Sequence, residues 1–95
     1  MSKNYIKFKK EKVMNNKEKR LFNISCYVEK LLYKTQEVKS FSKQIGFNIL
    51  YLETNTSSLD WRFLEPFTSY SRKNNINFKI YNSRTEESFV IKIWI

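Results

Sequence analysis

The spacing of hydrophobic positions changes period along this chain. Between residues 18 and 45 they fall three, four or seven apart, at Leu21, Ile24, Val28, Leu31, Val38, Phe41 and Ile45. That spacing places them on one helical face, and Thr35 is the polar position in the stripe, so the segment predicts one long helix or two shorter ones. Gly46, the sole glycine, follows where a helix end favours a left-handed cap. Lys39 and Lys43 would then sit in the last turns, where cations suit the helix dipole.

Past Gly46 the period drops to two. "FNILYLET" (47–54) reads as a strand with apolar residues on both faces in its middle, which suits an interior position in a sheet. "NTSSLD" (55–60) is turn chemistry. "WRFLEPF" (61–67) carries Pro66 and predicts an edge strand or a strand that ends there, followed by a polar loop, "TSYSRKNN" (68–75). "INFKIY" (76–81) alternates with Ile76, Phe78 and Ile80 on one face. After a turn, "NSRTEE" (82–87), "SFVIKIWI" (88–95) alternates with Phe89, Ile91, Ile93 and Ile95 on one side and Val90, Lys92 and Trp94 on the other. The last two runs predict an antiparallel hairpin. The expected fold is α+β in two layers, with one or two helices packed on a mostly antiparallel sheet of three or four strands.

Charge divides the chain into a basic N-terminal arm, residues 1–17, and a single α+β domain, residues 18–95. Residues 1–20 hold eight Lys or Arg against two Glu, a net of +6 of the total +9. A basic arm on a nearly balanced domain is the pattern of nucleic-acid contact, because each Lys that meets a phosphate releases condensed counterions. The alternatives are a solvated tail and contact with an anionic membrane surface. The candidate contacts are Lys3, Lys7, Lys9, Lys10, Lys12 and Arg20, with Arg72 and Lys73 in the polar loop. Lys30 and Lys34, four apart on a helix, stand on one outward face; their other reading is a solvated face balanced by Glu29 and Glu37.

Catalytic chemistry finds little support. His is absent and Cys26 is the sole cysteine, which removes the commonest general base, thiolate metal clusters and internal disulfides. Glu37 and Lys39 match an E-x-K fragment but do not share a helical face, and Asp60, Glu65, Glu86 and Glu87 have no histidine or phosphate loop beside them. No enzyme activity, cofactor or metal is expected. Cys26 reads as a small hydrophobe, and Trp61 and Trp94, which could stack on bases, read first as packing residues in strands. No run reaches the roughly 18 apolar residues of a membrane span, so no membrane partner is expected. With no Ala and many Lys, Asn, Ile, Phe and Tyr, the composition is that of a strongly AT-rich gene, as in phages, mollicutes and organelles.

The segment from Trp61 to the closing K-I-W-I resembles the end of the C-terminal domain of the universal small-subunit ribosomal protein three family. That domain closes on a strand reading V-x-V-K-V-W-I, and "IGFNILYLE" (45–53) is similar to the family's strand that follows a glycine after a basic helix. The resemblance implies two helices on a four-stranded sheet, bound to ribosomal RNA in the small-subunit head beside neighbouring ribosomal proteins. It also implies a basic helix facing mRNA in the channel through which mRNA enters, carried here by Lys30 and Lys34. Glu29 occupies a place the family gives to a basic residue, the loop after the first strand lacks its glycines, and the preceding KH domain is missing. The chain would then be a separately encoded piece with a KH-bearing partner chain, located in the mitochondrial matrix if organellar and in the cytoplasm otherwise. The expected function is a structural RNA-binding ribosomal protein, a ribonucleoprotein component of translation. The alternative is a small phage- or plasmid-encoded protein that binds and inhibits a host protein. A free-standing DNA regulator would need a helix-turn-helix, which the strands after the helical segment argue against.

Overall fold

Asn15 starts the first helix. Its side chain accepts from the Glu18 amide at 2.8 Å, and the Glu18 carboxylate accepts from the Asn15 amide at 3.0 Å, a reciprocal capping box. The computed structural model, which describes residues 15–56, 58–83 and 88–95, runs from there through six elements. These are α1 (Asn16–Thr35), β1 (Ser40–Ile45), β2 (Ile49–Asn55), α2 (Trp61–Lys73), β3 (Asn77–Asn82) and β4 (Ser88–Trp94). Most of the expected N-terminal arm, and residues 84–87 of the expected last turn, lie outside the described residues.

The fold is α+β, two helices on one four-stranded antiparallel sheet of order β1-β2-β4-β3. The β3–β4 hairpin and the interior position of β2 match the alternation of their sequences. Two other segments differ from expectation. The helical stripe ends at Leu32, which is buried where Leu31, only half-buried, was expected; Gln36 then turns to extended backbone, and Val38, Phe41 and Ile45 belong to the approach to β1 and to β1 itself. A spacing of four is common to both periods, since residues i and i+4 share a face in a helix and in a strand. Phe41 and Ile45 therefore fitted either reading. Gly46 lies in the β1–β2 turn, where its amide donates to the Ile49 carbonyl at 2.7 Å, and its φ is not positive. Lys39 and Lys43 accordingly lie outside any helix.

The segment 61–73 is a helix, not an edge strand and loop. Asp60 caps it by accepting from the Arg62 amide at 3.0 Å. Pro66 lacks the N–H that would reach the Arg62 carbonyl, at a cost of about 3 kcal/mol for an interior helical proline. Phe63 and Phe67, one turn apart, are both fully buried, each contributing roughly 1.5–3 kcal/mol and together offsetting the proline. At the far end Asn75 adopts a left-handed φ of 55°, with Asn75 and Ile76 amides donating to the Arg72 and Ser71 carbonyls. This is the double-bonded helix stop usually built on glycine, here built on asparagine.

Both helices cover the same face of the sheet. Leu50 and Leu52 of β2 pair with Ile93 and Ile91 of β4, all at 0% exposure, and meet Leu21, Val28 and Leu32 of α1 and Phe63 and Phe67 of α2. Three side-chain contacts join the helices and fix them antiparallel. Arg20 near the start of α1 donates to the Asn74 carbonyl after α2, Tyr27 stacks on Tyr70 at 3.7 Å, and Gln36 after α1 donates to Asp60 before α2 at 2.8 Å. Trp61, expected to pack, is 70% exposed at the first position of α2, and Cys26 is half-buried on α1.

Phe67→Ala should lower unfolding free energy by about 3–5 kcal/mol, whereas Trp61→Ala should change it by less than about 0.5 kcal/mol, read from urea midpoints. The bidentate contact with Arg62 first, and the Gln36 amide second, hold the Asp60 carboxyl well below the usual carboxylate range. A folded pKa below the unfolded one gives stability that is full above about pH 4 and is lost as pH falls through the folded value. The stability difference between the protein and Asp60→Asn should therefore be constant near neutrality and shrink below pH 4 in urea titrations.

Candidate nucleic-acid interface

A helix that buries one stripe must show its opposite stripe to solvent, and on α1 that stripe is cationic. At about 100° per residue, Lys19, Lys30 and Lys34 project within about 60° of one another, opposite Leu21, Val28 and Leu32. All three are exposed. The row is about 22 Å long at the helical rise, enough to follow several phosphates of one strand. Glu29 lies about 100° round the helix from Lys30, and Glu37 lies beyond the helix end. The stripe that carries the lysines therefore holds no carboxylate of α1.

The remaining candidates separate into two groups. Lys3, Lys7, Lys9, Lys10 and Lys12 lie outside the described residues. Arg20, Arg72 and Lys73 gather at the C-terminal end of α2, because Arg20 reaches the Asn74 carbonyl and the other two occupy the last turn of α2. Arg72 and Lys73 are thus on a helix and not in the loop expected for them. Their charge complements the negative end of the helix dipole, which gives all three a folding role. Behind them, burial raises the hydroxyl pKa of Tyr27 and of Tyr70, and Arg20 partly counters it at Tyr70, so both stacked rings are neutral at physiological pH.

Sequence reasoning did not place Lys19, Lys43, Lys79 or Lys92 among the candidate contacts. Lys19 shares the outward stripe at a distance of eleven residues from Lys30, about three helical turns, within the segment already read as helical. Lys43 lies on the helix side of edge strand β1, where its Nζ donates to Ser25 Oγ at 3.5 Å and sits 4.5 Å from the Phe22 ring centroid. It covers the core margin with its stem and keeps its charge at the rim. Lys79 and Lys92 stand opposite each other across β3 and β4. Their strands' alternation put each on the polar side, but only the pairing register brings them together.

Among the described residues no group of three His, Cys, Asp or Glu could hold a metal, and no helix is long and apolar enough to cross a membrane. The described surface offers cations and aromatic rings.

No family model matches the chain, and no curated protein matches it. Among solved structures the chain is similar to the IWP-051-bound H-NOX from Shewanella woodyi, at 18% identity and a TM-score of 0.47. The match covers 85% of this chain and 47% of that one, so the chain spans about half the length of that protein.

The two groups of cations should separate in stability measurements. Arg20→Met should lower unfolding free energy by about 1 kcal/mol, because it removes a charge-assisted bond between the helices. The double variant Lys30→Gln/Lys34→Gln should leave it within about 0.5 kcal/mol, both measured by thermal melts at matched salt.

Proposed function

We infer that this chain is a structural RNA-binding protein of the ribosomal small subunit, contacting ribosomal RNA and presenting Lys30 and Lys34 towards mRNA. The observation that carries the reading is the exposed lysine row on α1, free of acidic residues on its own stripe. A solvated surface helix more often interleaves both signs along one face. Two further features support it. Two helices on a four-stranded sheet is the architecture implied by the resemblance to the ribosomal protein three C-terminal domain, and Lys92, Ile93 and Trp94 of the closing K-I-W-I lie in an interior strand, with Ile93 fully buried. The resemblance loses some detail as well, since Trp61 starts a helix and β1 separates the basic helix from Gly46.

Binding in this reading is electrostatic. Lysines of the arm and of α1 neutralise phosphates, and the gain comes mostly from released counterions. A KH-bearing partner chain, neighbouring ribosomal proteins and a mitochondrial location belong to the same proposal. The second reading, a phage- or plasmid-encoded inhibitor of a host protein, draws on Trp61 and Phe47, exposed by 70% and 80%. Aromatic residues so placed suit anchoring in a protein pocket.

Sedimentation in native lysates separates the two, with small-subunit fractions expected for the first reading and a stoichiometric complex with one host protein for the second. In filter binding with purified RNA, log affinity should fall linearly with log salt at about 0.7–0.9 per phosphate contact. Lys30→Gln/Lys34→Gln should reduce that slope by between one and two such contacts. Affinity indifferent to salt would refute the electrostatic mechanism.

A further inference from the structure

Both helices pack on one face of the sheet, which leaves the other face without a covering layer among the described residues. Strand alternation puts Tyr51 of β2, Lys92 and Trp94 of β4, and Lys79 and Tyr81 of β3 on that open face. The register sets Tyr51 directly opposite Lys92, and Lys92 directly opposite Lys79. Tyr51 and Tyr81 are 38% and 41% exposed, Lys79 is exposed, and Trp94 and Lys92 are half-buried.

Two lysines opposed on neighbouring strands repel each other and destabilise the sheet unless an anion lies between them. The acid of this face does not serve, because the Glu53 Oε2 accepts from Ser83 and Ser88 at 3.3 and 3.1 Å at the opposite end of the hairpin. Each ammonium instead leans towards an aromatic ring two residues along its own strand. Lys92 Nζ lies 5.5 Å from the Trp94 centroid and Lys79 Nζ 6.0 Å from that of Tyr81. Cations are thus interleaved with aromatic rings on the open face of a four-stranded sheet. Unpaired nucleotides match that pattern, with bases stacking on rings and a phosphate bridging the two ammonium groups. A duplex does not match it, since its base faces are already stacked on one another.

We propose that the open face of the sheet binds an unpaired stretch of RNA, two or three nucleotides long, through Tyr51, Tyr81 and Trp94 with a phosphate held between Lys79 and Lys92. The site is distinct from the α1 lysine row and rests on the RNA-binding reading above.

Trp61→Phe leaves Trp94 as the single tryptophan, so its fluorescence reports on this face alone. In that background, a single-stranded dodecaribonucleotide should quench Trp94 saturably, at least tenfold more tightly than the same strand within a duplex. Tyr51→Leu/Tyr81→Leu should weaken the quenching affinity at least tenfold, and Lys79→Gln/Lys92→Gln should do the same. The glutamine pair also carries its own folding control, since relieving the repulsion should leave its melting temperature equal or higher. Lys30→Gln/Lys34→Gln should leave Trp94 quenching within about threefold. RNA bound without Trp94 quenching, and with full affinity in both sheet variants, would overturn this site while leaving the α1 reading intact. No RNA binding in any variant would overturn both. Equal quenching by duplex and single strand would overturn the preference for unpaired RNA, and concentration-dependent quenching without RNA would assign the face to a second copy of the chain.

Discussion

The antiparallel pairing of β2 with β4 is the constraint on which the rest of this molecule depends. It joins Ile49 to Trp94 and Asn55 to Ser88, residues far apart in the chain, and all seven positions of β2 find a partner. Without it the chain holds two separate hairpins, β1–β2 and β3–β4, and isolated two-stranded ribbons are marginal in water. With it, Leu50, Leu52, Ile91 and Ile93 become one continuous apolar floor, all at 0% exposure, wide enough to take both helices. The long-range pairing also explains why the last stretch of this sequence is so apolar. Its residues make an interior strand, closed on one side by β2 and on the other by β3.

The floor dictates where function can reside. Two helices on one face leave α1 with an outward stripe and the sheet with an open face, pointing in opposite directions. Each of these surfaces is basic, and they differ in kind. The α1 row is a line of point charges, whereas the open sheet face mixes charge with aromatic rings. Between them, Arg20 and the last turn of α2 hold cations in a structural role, tied through Asn74 to the seam between the helices. One small domain thereby presents two basic surfaces that differ in chemistry.

The seam itself depends on a few polar contacts set around an aromatic one. Tyr27 and Tyr70 stack with their rings 12° from parallel, flanked by the Arg20–Asn74 bond at one end and Gln36–Asp60 at the other. Asp60 serves twice, capping α2 and receiving the residue that ends α1. A single carboxylate thus couples the stop of one helix to the start of the next. Pro66 is tolerated inside α2 because the two phenylalanines beneath it outweigh the missing hydrogen bond.

The sequence alone determined the elements whose pattern admits one period. The stripe of Leu21, Ile24 and Val28 is helical under any reading, and the strict alternation of 76–81 and 88–95 is a hairpin under any reading. It also placed Lys30 and Lys34 outward, because burying one helical stripe exposes the opposite one. Tertiary structure decided what local spacing left degenerate. Phe41 and Ile45, and likewise Phe63 and Phe67, stand four apart, a distance that returns to the same face in a helix and in a strand. For the first pair the free edge of β2 offered backbone hydrogen bonds that a longer helix could not use. For the second, the floor of β2 and β4 rewarded a helix despite its proline. Register belongs to the same class, since a strand's own pattern tells which side a lysine faces but not what stands across from it. The meeting of Lys79 with Lys92 beside three aromatic rings is therefore a property of the assembled sheet, fixed by the register of β4 with its two neighbours.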